Sequence, residues 1–347
     1  MQNILEKTEI KASAPCRIDM GGTLDIKTLY YPLRHYSPCT FNLAIGLRTE
    51  IRLLPYKNGI IKVSSKGFDS VEYPLESAPF DHDLGLMFAI ASYFNAQQGV
   101  HILIDSSSPP RSALGGSSAA AVALVAAFSK ICEYTGEPRF SKEKIAFLAH
   151  SIEESVAGVP CGFQDQLAAV YGGVNAWHWS ATNDNPPYKR EVIAEKSDFK
   201  KLEQNILLAY CGIPHESKDI NSKWIKQFLT GKNRNIWNQI ISWTQKFVHA
   251  LSDGDIEEAA EYMKKETAAR TQMTPNVFDS TGQMLVHAAE KNQCGARFTG
   301  AGGGGCIWAI GEVDQINRLT GVWEEILAPV NTACLLDLNI DEKGVTV

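Results

Sequence analysis

The stretch Pro109-Pro-Arg-Ser-Ala-Leu-Gly-Gly-Ser-Ser-Ala-Ala120 leads straight into Ala119–Tyr134, a run made almost wholly of helix formers. It is preceded by Val100–Asp105, a short apolar segment with β-branched residues that reads as a strand. A strand, a glycine turn and a long helix in direct succession leave the backbone few courses. Gly115 and Gly116 let N–H groups turn toward a ligand with no Cβ in the way, and Ser117 and Ser118 stand where a helix cap is expected. A helix N-terminus offers unpaired donors and a partial positive charge, which together suit a phosphate. No Gly-Lys-Ser/Thr occurs in the 347 residues, so this is not a Walker loop.

Charge makes the local character of such a site necessary. With 33 basic and 39 acidic residues the chain carries a net −6, which offers no global field for nucleic acid or an anionic membrane. The 44% apolar and 21% charged composition is that of a globular protein and excludes disorder, collagen and coiled coil. No apolar run approaches the length of a bilayer span, and Met1–Lys11 lacks the apolar stretch of a signal peptide. The eight cysteines are scattered without a Cys-x-x-Cys pair, as expected of reduced, mostly buried thiols. The expectation is a cytoplasmic protein with neither nucleic-acid nor membrane partners.

Periodicity predicts strands over Glu9–Ile18, Ser37–Leu54 and Ile60–Ser65, with a helix over Leu84–Gln97 and another over Lys142–Val156. The breaker-rich segment Ser180–Arg190 marks a domain boundary or a hairpin loop near one. Beyond it come a strand at Ile206–Tyr210 and helices over Ser217–Leu229, Asn235–Leu251, Ile256–Met273 and Asn276–Lys291. Strands return at Ala296–Thr299, Cys306–Gly311 and Thr332–Leu338. The class is α+β, with no regular βαβ alternation. Two domains are expected, residues 1–190 and 191–347.

Three further blocks carry chemistry. Thr299-Gly-Ala-Gly-Gly-Gly-Gly-Cys306 satisfies G-x-G-x-x-G, yet Cys306-Ile-Trp-Ala-Ile310 reads as a buried strand rather than the helix a dinucleotide loop must open. It is expected to be a tight loop between strands with exposed backbone donors. Gly162-Phe-Gln-Asp-Gln166 places Asp165 in a loop-like stretch, and Glu153 and Glu154 end the helix before it. Acids there oppose the helix dipole and call for a cation, which Mg²⁺ could supply by bridging a carboxylate, a serine and phosphates. Arg17, Asp19 and Asp25 surround the Gly21-Gly22 turn, and arginine suits phosphate or carboxylate through its bidentate fork.

Taken together these blocks resemble the GHMP kinases. The second family motif, P-x-x-x-G-L-G-S-S-A-A, is similar to Pro109–Ala120; the third, G-A-G-G-G-G, matches Gly300–Gly305; the first is a short P-x-R segment, here Pro15–Arg17. Within that superfamily the likeness is to kinases acting on an anomeric sugar hydroxyl. Arg17-Ile-Asp-Met-Gly-Gly22 looks like the L-fucokinase segment, Gly162–Gln166 like the D-glycero-D-manno-heptose 7-phosphate kinases, and Ala157–Gly162 like galactokinase.

The resemblance implies the two-domain GHMP kinase fold, an N-terminal domain like domain 2 of ribosomal protein S5 and a ferredoxin-like C-terminal domain. It implies ATP-dependent phosphorylation of a sugar or sugar phosphate to a sugar 1-phosphate, with ATP and Mg²⁺ as cofactors. Asp165 matches the catalytic aspartate, and Arg17 the arginine beside it that keeps it ionised and touches the γ-phosphate. Pro110, Leu114, Gly115, Gly116, Ser117, Ser118 and Ala119 would bind ATP. Ser118 and Glu153 would hold the metal, with Glu154 the alternative. Asp19, Asp25, Gly162, Gly302 and Gly303 would contact substrate. Two departures stand out. Asp25 follows Arg17 at a spacing one residue shorter than in the sugar kinases, and Arg111 and Ala113 stand where relatives prefer glycine, so the start of the phosphate turn is expected to differ. A second anion site for a phosphorylated sugar could draw on Lys27, Arg34, His35 or Arg111. The rival readings are a catalytically inactive sensor on this fold and a kinase of the mevalonate or homoserine type.

Overall fold

The computed structural model describes residues 1–181, 186–214 and 217–347 (of 217–219 the backbone alone). After a short helix α1 (Gln2–Leu5), strand β1 (Ile10–Met20) pairs antiparallel with the long β2 (Cys39–Pro55), α2 (Lys27–Tyr30) lying between them in sequence. Along its other edge β2 takes β5 (Val100–Ser106) at one end and β6 (Val174–Trp179) at the other. The sheet is completed by β3 (Ile60–Ser65), β4 (Val71–Pro74) and β7 (Tyr188–Ala194). Its order is β4-β3-β5-β2-β6-β7 with β1 on β2, antiparallel except for β3 on β5.

Four helices cover it: α3 (Gly85–Tyr93), α4 (Gly116–Tyr134), α5 (Lys142–Val156) and α6 (Gln164–Tyr171). Helix α4 is long and apolar enough by composition alone to cross a membrane. Its apolar surface is instead consumed by β1, β2, α5 and α6, and Ala119 through Ala127 are all buried. It is the core helix of this unit.

After α7 (Phe199–Glu203) a second, four-stranded sheet begins with β8 (Ile206–Tyr210). Helices α8 (Ser217–Leu229), α9 (Arg234–Ser252), α10 (Ile256–Met273) and α11 (Ser280–Lys291) follow, then β9 (Gly295–Phe298), β10 (Cys306–Ile310), α12 (Val313–Leu327) and β11 (Cys334–Leu335). The order β11-β8-β10-β9, all antiparallel, is the ferredoxin-like arrangement of strands 4-1-3-2, enlarged by extra helices after the first strand. The α+β class and the two-part architecture are as expected.

Both faces of the small sheet are buried, and β10 shows how. Cys306, Trp308 and Ile310 join the core of the first unit, while Ile307 and Ala309 join the second core beneath α8, α9, α11 and α12. Period-two alternation thus serves two cores at once. Leu24, Ile26, Leu29 and Leu33, although early in the chain, pack into the second core.

Several boundaries differ from the periodicity reading. Segment 180–190 does not end the first unit: Tyr188–Arg190 already belong to β7, which pairs antiparallel with β6, and the first sheet runs on to Ala194; residues 182–185 lie outside those described. The helix expected from Asn276 starts at Ser280, because Asp279 caps it through Gly282 N–H. The strand expected over Thr332–Leu338 pairs at Cys334 and Leu335 alone. All eight cysteines are unpaired, five of them buried.

Candidate active site

A cleft of about 560 Å³ opens between the glycine–serine turn, the end of β1, the start of α6 and the glycine-rich loop after β9. Its geometry begins with a break in strand register. At Pro15/Cys16 the β1–β2 pairing shifts, as expected where proline offers no N–H. Immediately after the shift Arg17 donates its backbone N–H to Leu114 O at 2.9 Å, which ties β1 to the turn.

The Arg17 side chain is buried and forked onto Asp165, Nε to Oδ1 at 2.8 Å and Nη2 to Oδ2 at 2.8 Å. Its Nη1 donates to Ala113 O at 2.7 Å. Burial would lower the guanidinium pKa, but Asp165 and Asp19 more than reverse this and hold it raised. Asp165 does not sit in a loop, as its sequence context suggested: it occupies the first turn of α6, where the helix's positive end favours a carboxylate.

The turn itself differs from expectation in its cap. Helix α4 begins at Gly116 with Gly115 as N-cap at φ 76°, and no serine side chain caps it. A Cβ on Gly115 would lie 3.3 Å from Asp165 Oδ2, so glycine is demanded by both the left-handed backbone and the approach of the acid. Released from capping, Ser118 Oγ donates to Glu153 Oε2 at 2.9 Å, and Gln166 Nε2 donates to the same oxygen at 2.5 Å. Burial pushes the Glu153 carboxyl up to about 7 against the lowering effect of the Ser118 bond. Glu154 points elsewhere, to Lys27 Nζ at 3.1 Å, so of the two glutamates it is Glu153 that faces the cleft. A serine oxygen and a carboxylate are hard donors that fit Mg²⁺, and a cation there would offset the charge that burial disfavours.

At the start of the turn Arg111 and Ala113 take left-handed φ of 53° and 61°. The left-handed conformation that glycine adopts freely is thus taken here by residues with side chains, at a steric cost. Arg111 lines the cleft with its Nη2 3.6 Å from Asp83 Oδ2. Lys27, Arg34 and His35 do not line it.

On the acceptor side lies Asp25. Its Oδ2 accepts from Gln164 N at 3.0 Å, while Oδ1 is buried without a partner. Burial raises its pKa to about 6, the Gln164 bond opposing and Asp165 adding to the shift. Gly162 is essential here, since a Cβ would fall 1.8 Å from Asp25 Oδ2.

Five residues expected to touch nucleotide or substrate do not line this cleft. Leu114 and Ala119 are wholly buried behind the turn and do not reach the cleft. Asp19 is buried too. It accepts from Gly300 N at 2.6 Å and pairs with Arg297 Nη1 at 3.1 Å, and although burial opposes ionisation, Arg17, Arg297 and the Gly300 amide hold its pKa lowered. Gly302 and Gly303 donate to Thr299 O (3.3 Å) and Val277 O (2.8 Å), and Gly305 to Ile213 O (2.9 Å), so these three N–H groups are spent on the protein rather than exposed. The loop meets the cleft at Gly300 and Ala301. In the other direction, sequence reading missed an apolar recess lined by Phe68, Leu84, Met87 and Pro110, of which Pro110 alone was named, along with Gln164, Gln166 and Asn221. Those apolar residues carry core periodicity and nothing else, whereas the paired glutamines around Asp165 were a visible signal.

A recess for an apolar ring, a bare helix N-terminus for phosphates, hard oxygen donors and an arginine-held carboxylate beside an acceptor niche are the parts of a small-molecule phosphotransferase. The class is shared by known proteins. Residues 85–173 match the model of the GHMP kinases N terminal domain. Over 339 residues it is 25% identical to a mevalonate kinase of Thermococcus sibiricus, covering 90% of this chain and 92% of that one. It is 27% identical over 315 residues to a D-glycero-alpha-D-manno-heptose 7-phosphate kinase of Campylobacter jejuni, covering 86% and 88%. The structure of Lactococcus lactis galactokinase complexed with galactose superposes with a TM-score of 0.74 at 17% identity, covering 99% of this chain and 97% of that one. The protein is thus an ATP-dependent kinase of an alcohol group.

Proposed function

We propose that the acceptor is a sugar and that the γ-phosphoryl group of ATP goes to its anomeric C1 hydroxyl, giving a sugar 1-phosphate and ADP. The observation that carries this reading is the pair of carboxyl groups on the acceptor side: Asp165 held by Arg17 and Asp25 with one oxygen unpartnered. Two acids suit a hydroxyl-rich neutral compound and repel a carboxylate or a second phosphate. ATP would lie with its ring in the Phe68–Met87 recess and its phosphates on the Gly115–Ser118 turn. Mg²⁺, held by Ser118 and Glu153, would neutralise charge on the phosphates.

In this reading Asp165 accepts the hydroxyl proton as the oxygen bonds to γ-phosphorus and the bond to the β-phosphate oxygen breaks. Arg17 keeps Asp165 aimed and has N–H groups left for the phosphoryl oxygens. Asp25 bonds a neighbouring sugar hydroxyl. Gly300 and Ala301 border the cleft and limit water there.

A second reading, a mevalonate-type acceptor, is supported by the whole-length similarity to the Thermococcus kinase. ADP release measured over neutral sugars, sugar phosphates and mevalonate separates the two. A neutral aldose as the best acceptor is the expected result, and turnover of mevalonate alone overturns the sugar reading.

A further inference from the structure

The turn that leads from Arg17 to Asp25 is gripped from the second unit by two buried arginines. Arg270, on α10, donates Nη2 to Gly22 O at 2.7 Å and Nη1 to Thr23 Oγ1 at 2.9 Å. Its Nε is spent on Glu266 Oε1 at 2.8 Å, one helical turn back. The other oxygen of Glu266 takes Arg297 Nε at 3.3 Å, and Arg297 Nη1 bonds both the backbone and the carboxylate of Asp19. Asp19, Glu266, Arg270 and Arg297 are all 0% exposed. The guanidinium of Arg270 lies over the rings of Trp224 and Trp237, 4.7 and 4.9 Å from their centroids, and the two rings stand at 85° to each other, so α8 and α9 each brace it from a different side.

Stability is a poor explanation for such an array. Buried ion pairs are commonly replaced by apolar residues of similar volume without loss, because desolvation cancels most of the attraction. What the array does achieve is geometric. Asp19 lies two residues after Arg17, and Thr23 lies two residues before Asp25, so the two arginines hold the turn at both ends. Thr23 is a non-glycine at φ 76° and lines the cleft, a conformation that persists only where its surroundings impose it.

We propose that Arg270, with Glu266 and Arg297 behind it, is a positioning residue for the acceptor. By pinning Gly22 and Thr23 it sets where Asp25 stands relative to the Arg17–Asp165 pair, and it does so from the second unit. This rests on the proposed acceptor niche at Asp25.

The test is steady-state kinetics of Arg270→Met and Arg270→Lys in the full chain, with nucleotide affinity measured separately by titration with a fluorescent ADP analogue. Arg270→Met is expected to raise the acceptor KM at least tenfold and lower kcat, with nucleotide Kd changed less than twofold. Arg270→Lys, which keeps the charge and loses the fork, should recover part of the loss. Acceptor KM and nucleotide Kd rising together, or neither moving in a folded variant, overturns the proposal. If the acceptor proves to be another alcohol, the sugar reading fails and the same ratio is measured with that alcohol. Should no alcohol in the panel be turned over, or Arg270→Met not fold, hydrogen exchange in Arg270→Lys decides. Thr23–Ile26 amides should lose protection while Gly116–Ala119 amides keep theirs, and unchanged exchange at Thr23–Ile26 rejects the clamp.

Discussion

Asp165 is the residue on which turnover should depend most sharply. A positioned carboxylate contributes about 10²–10⁴ in rate when it takes a proton in the transition state. Asp165→Asn keeps the shape and one of the two bonds from Arg17, so kcat should fall about a thousandfold while acceptor KM changes less than about threefold. Equal losses in the two constants remove the base assignment. Glu153 gives a second, independent readout. It and Asp25 bind protons more tightly folded than unfolded, with pKa values of about 7 and about 6. Their stabilising contribution is therefore complete below the ordinary carboxylate range and is lost as pH rises through those values. The ligand-free protein should melt at progressively lower temperature from pH 5 to pH 8, Glu153 alone accounting for up to ~3 kcal/mol at ~1.4 kcal/mol per unit. Glu153→Gln should flatten that decline, and Mg²⁺ with nucleotide should raise Tm more at pH 8 than at pH 5. Parallel melting curves for variant and wild type would exclude Glu153 as the titrating group. Both results concern side chains that the sequence pattern had singled out.

Among the elements, the turn before α4 was legible because glycine and serine pairs ahead of an alanine-rich run have few other uses. Its details were not. The serines do not cap, since Gly115 already provides the left-handed turn, and Ser118 is left to bond Glu153 on a helix 35 residues away. Gly115→Ala combines an unfavourable φ of 76° with a Cβ 3.3 Å from Asp165 Oδ2. It should cost about 1–2 kcal/mol in stability and raise the ATP KM, as read by denaturant melts and initial rates. A stable variant with normal ATP KM contradicts the account of the turn. Helices α5, α8 and α10 run as periodicity predicts, and Ser141 and Asp255 cap the first and last of these, although the buried face of α10 also carries Glu266 and Arg270. Strands β6 and β7 escaped notice. Asn175, wholly buried in β6, breaks the apolar alternation and is satisfied by Gly172 O and Arg190 Nε, partners no local pattern announces. Helix α12 escaped for a related reason: its capping box uses Glu312 rather than the usual serine, threonine, aspartate or asparagine.

For the molecule as a whole, the two sheets do not behave as independent bodies. One core cluster includes residues of β1, β2 and α4 together with Cys306, Trp308 and Ile310 of the second sheet. The C-terminal segment closes the arrangement from outside. Thr346 exchanges backbone bonds with Ser13, Asp341 N–H donates to Ala44 O, and Arg48 binds Asp341 and Gly344 O. Gly344 is packed so that a Cβ would fall 2.2 Å from Val170 O. Removal of residues 340–347 should lower stability by about 3 kcal/mol, several degrees in Tm, through loss of these bonds. The remaining chain should still melt in one transition, and separate transitions for the two units would show that the shared core is not a cooperative one.

Local chemistry carries its own signature: glycines where a backbone must come close, an aspartate between glutamines, an arginine after proline, helices whose apolar faces recur at 3.6 residues. From these the class, the family resemblance and a short list of candidate acids could be read, because each depends on neighbours within a turn or a strand pair. Asp19 and Asp25 show where that reading stops. The two acids flank one Gly-Gly turn and look equivalent in sequence. Folding hands the first to Arg297 and Gly300, some 280 positions away, and leaves the second with an unpartnered oxygen in the cleft. The same holds for Glu153 against Glu154, and for the apolar recess assembled from three distant segments. Burial and charge pairing depend on what arrives from far along the chain, and no local pattern encodes that.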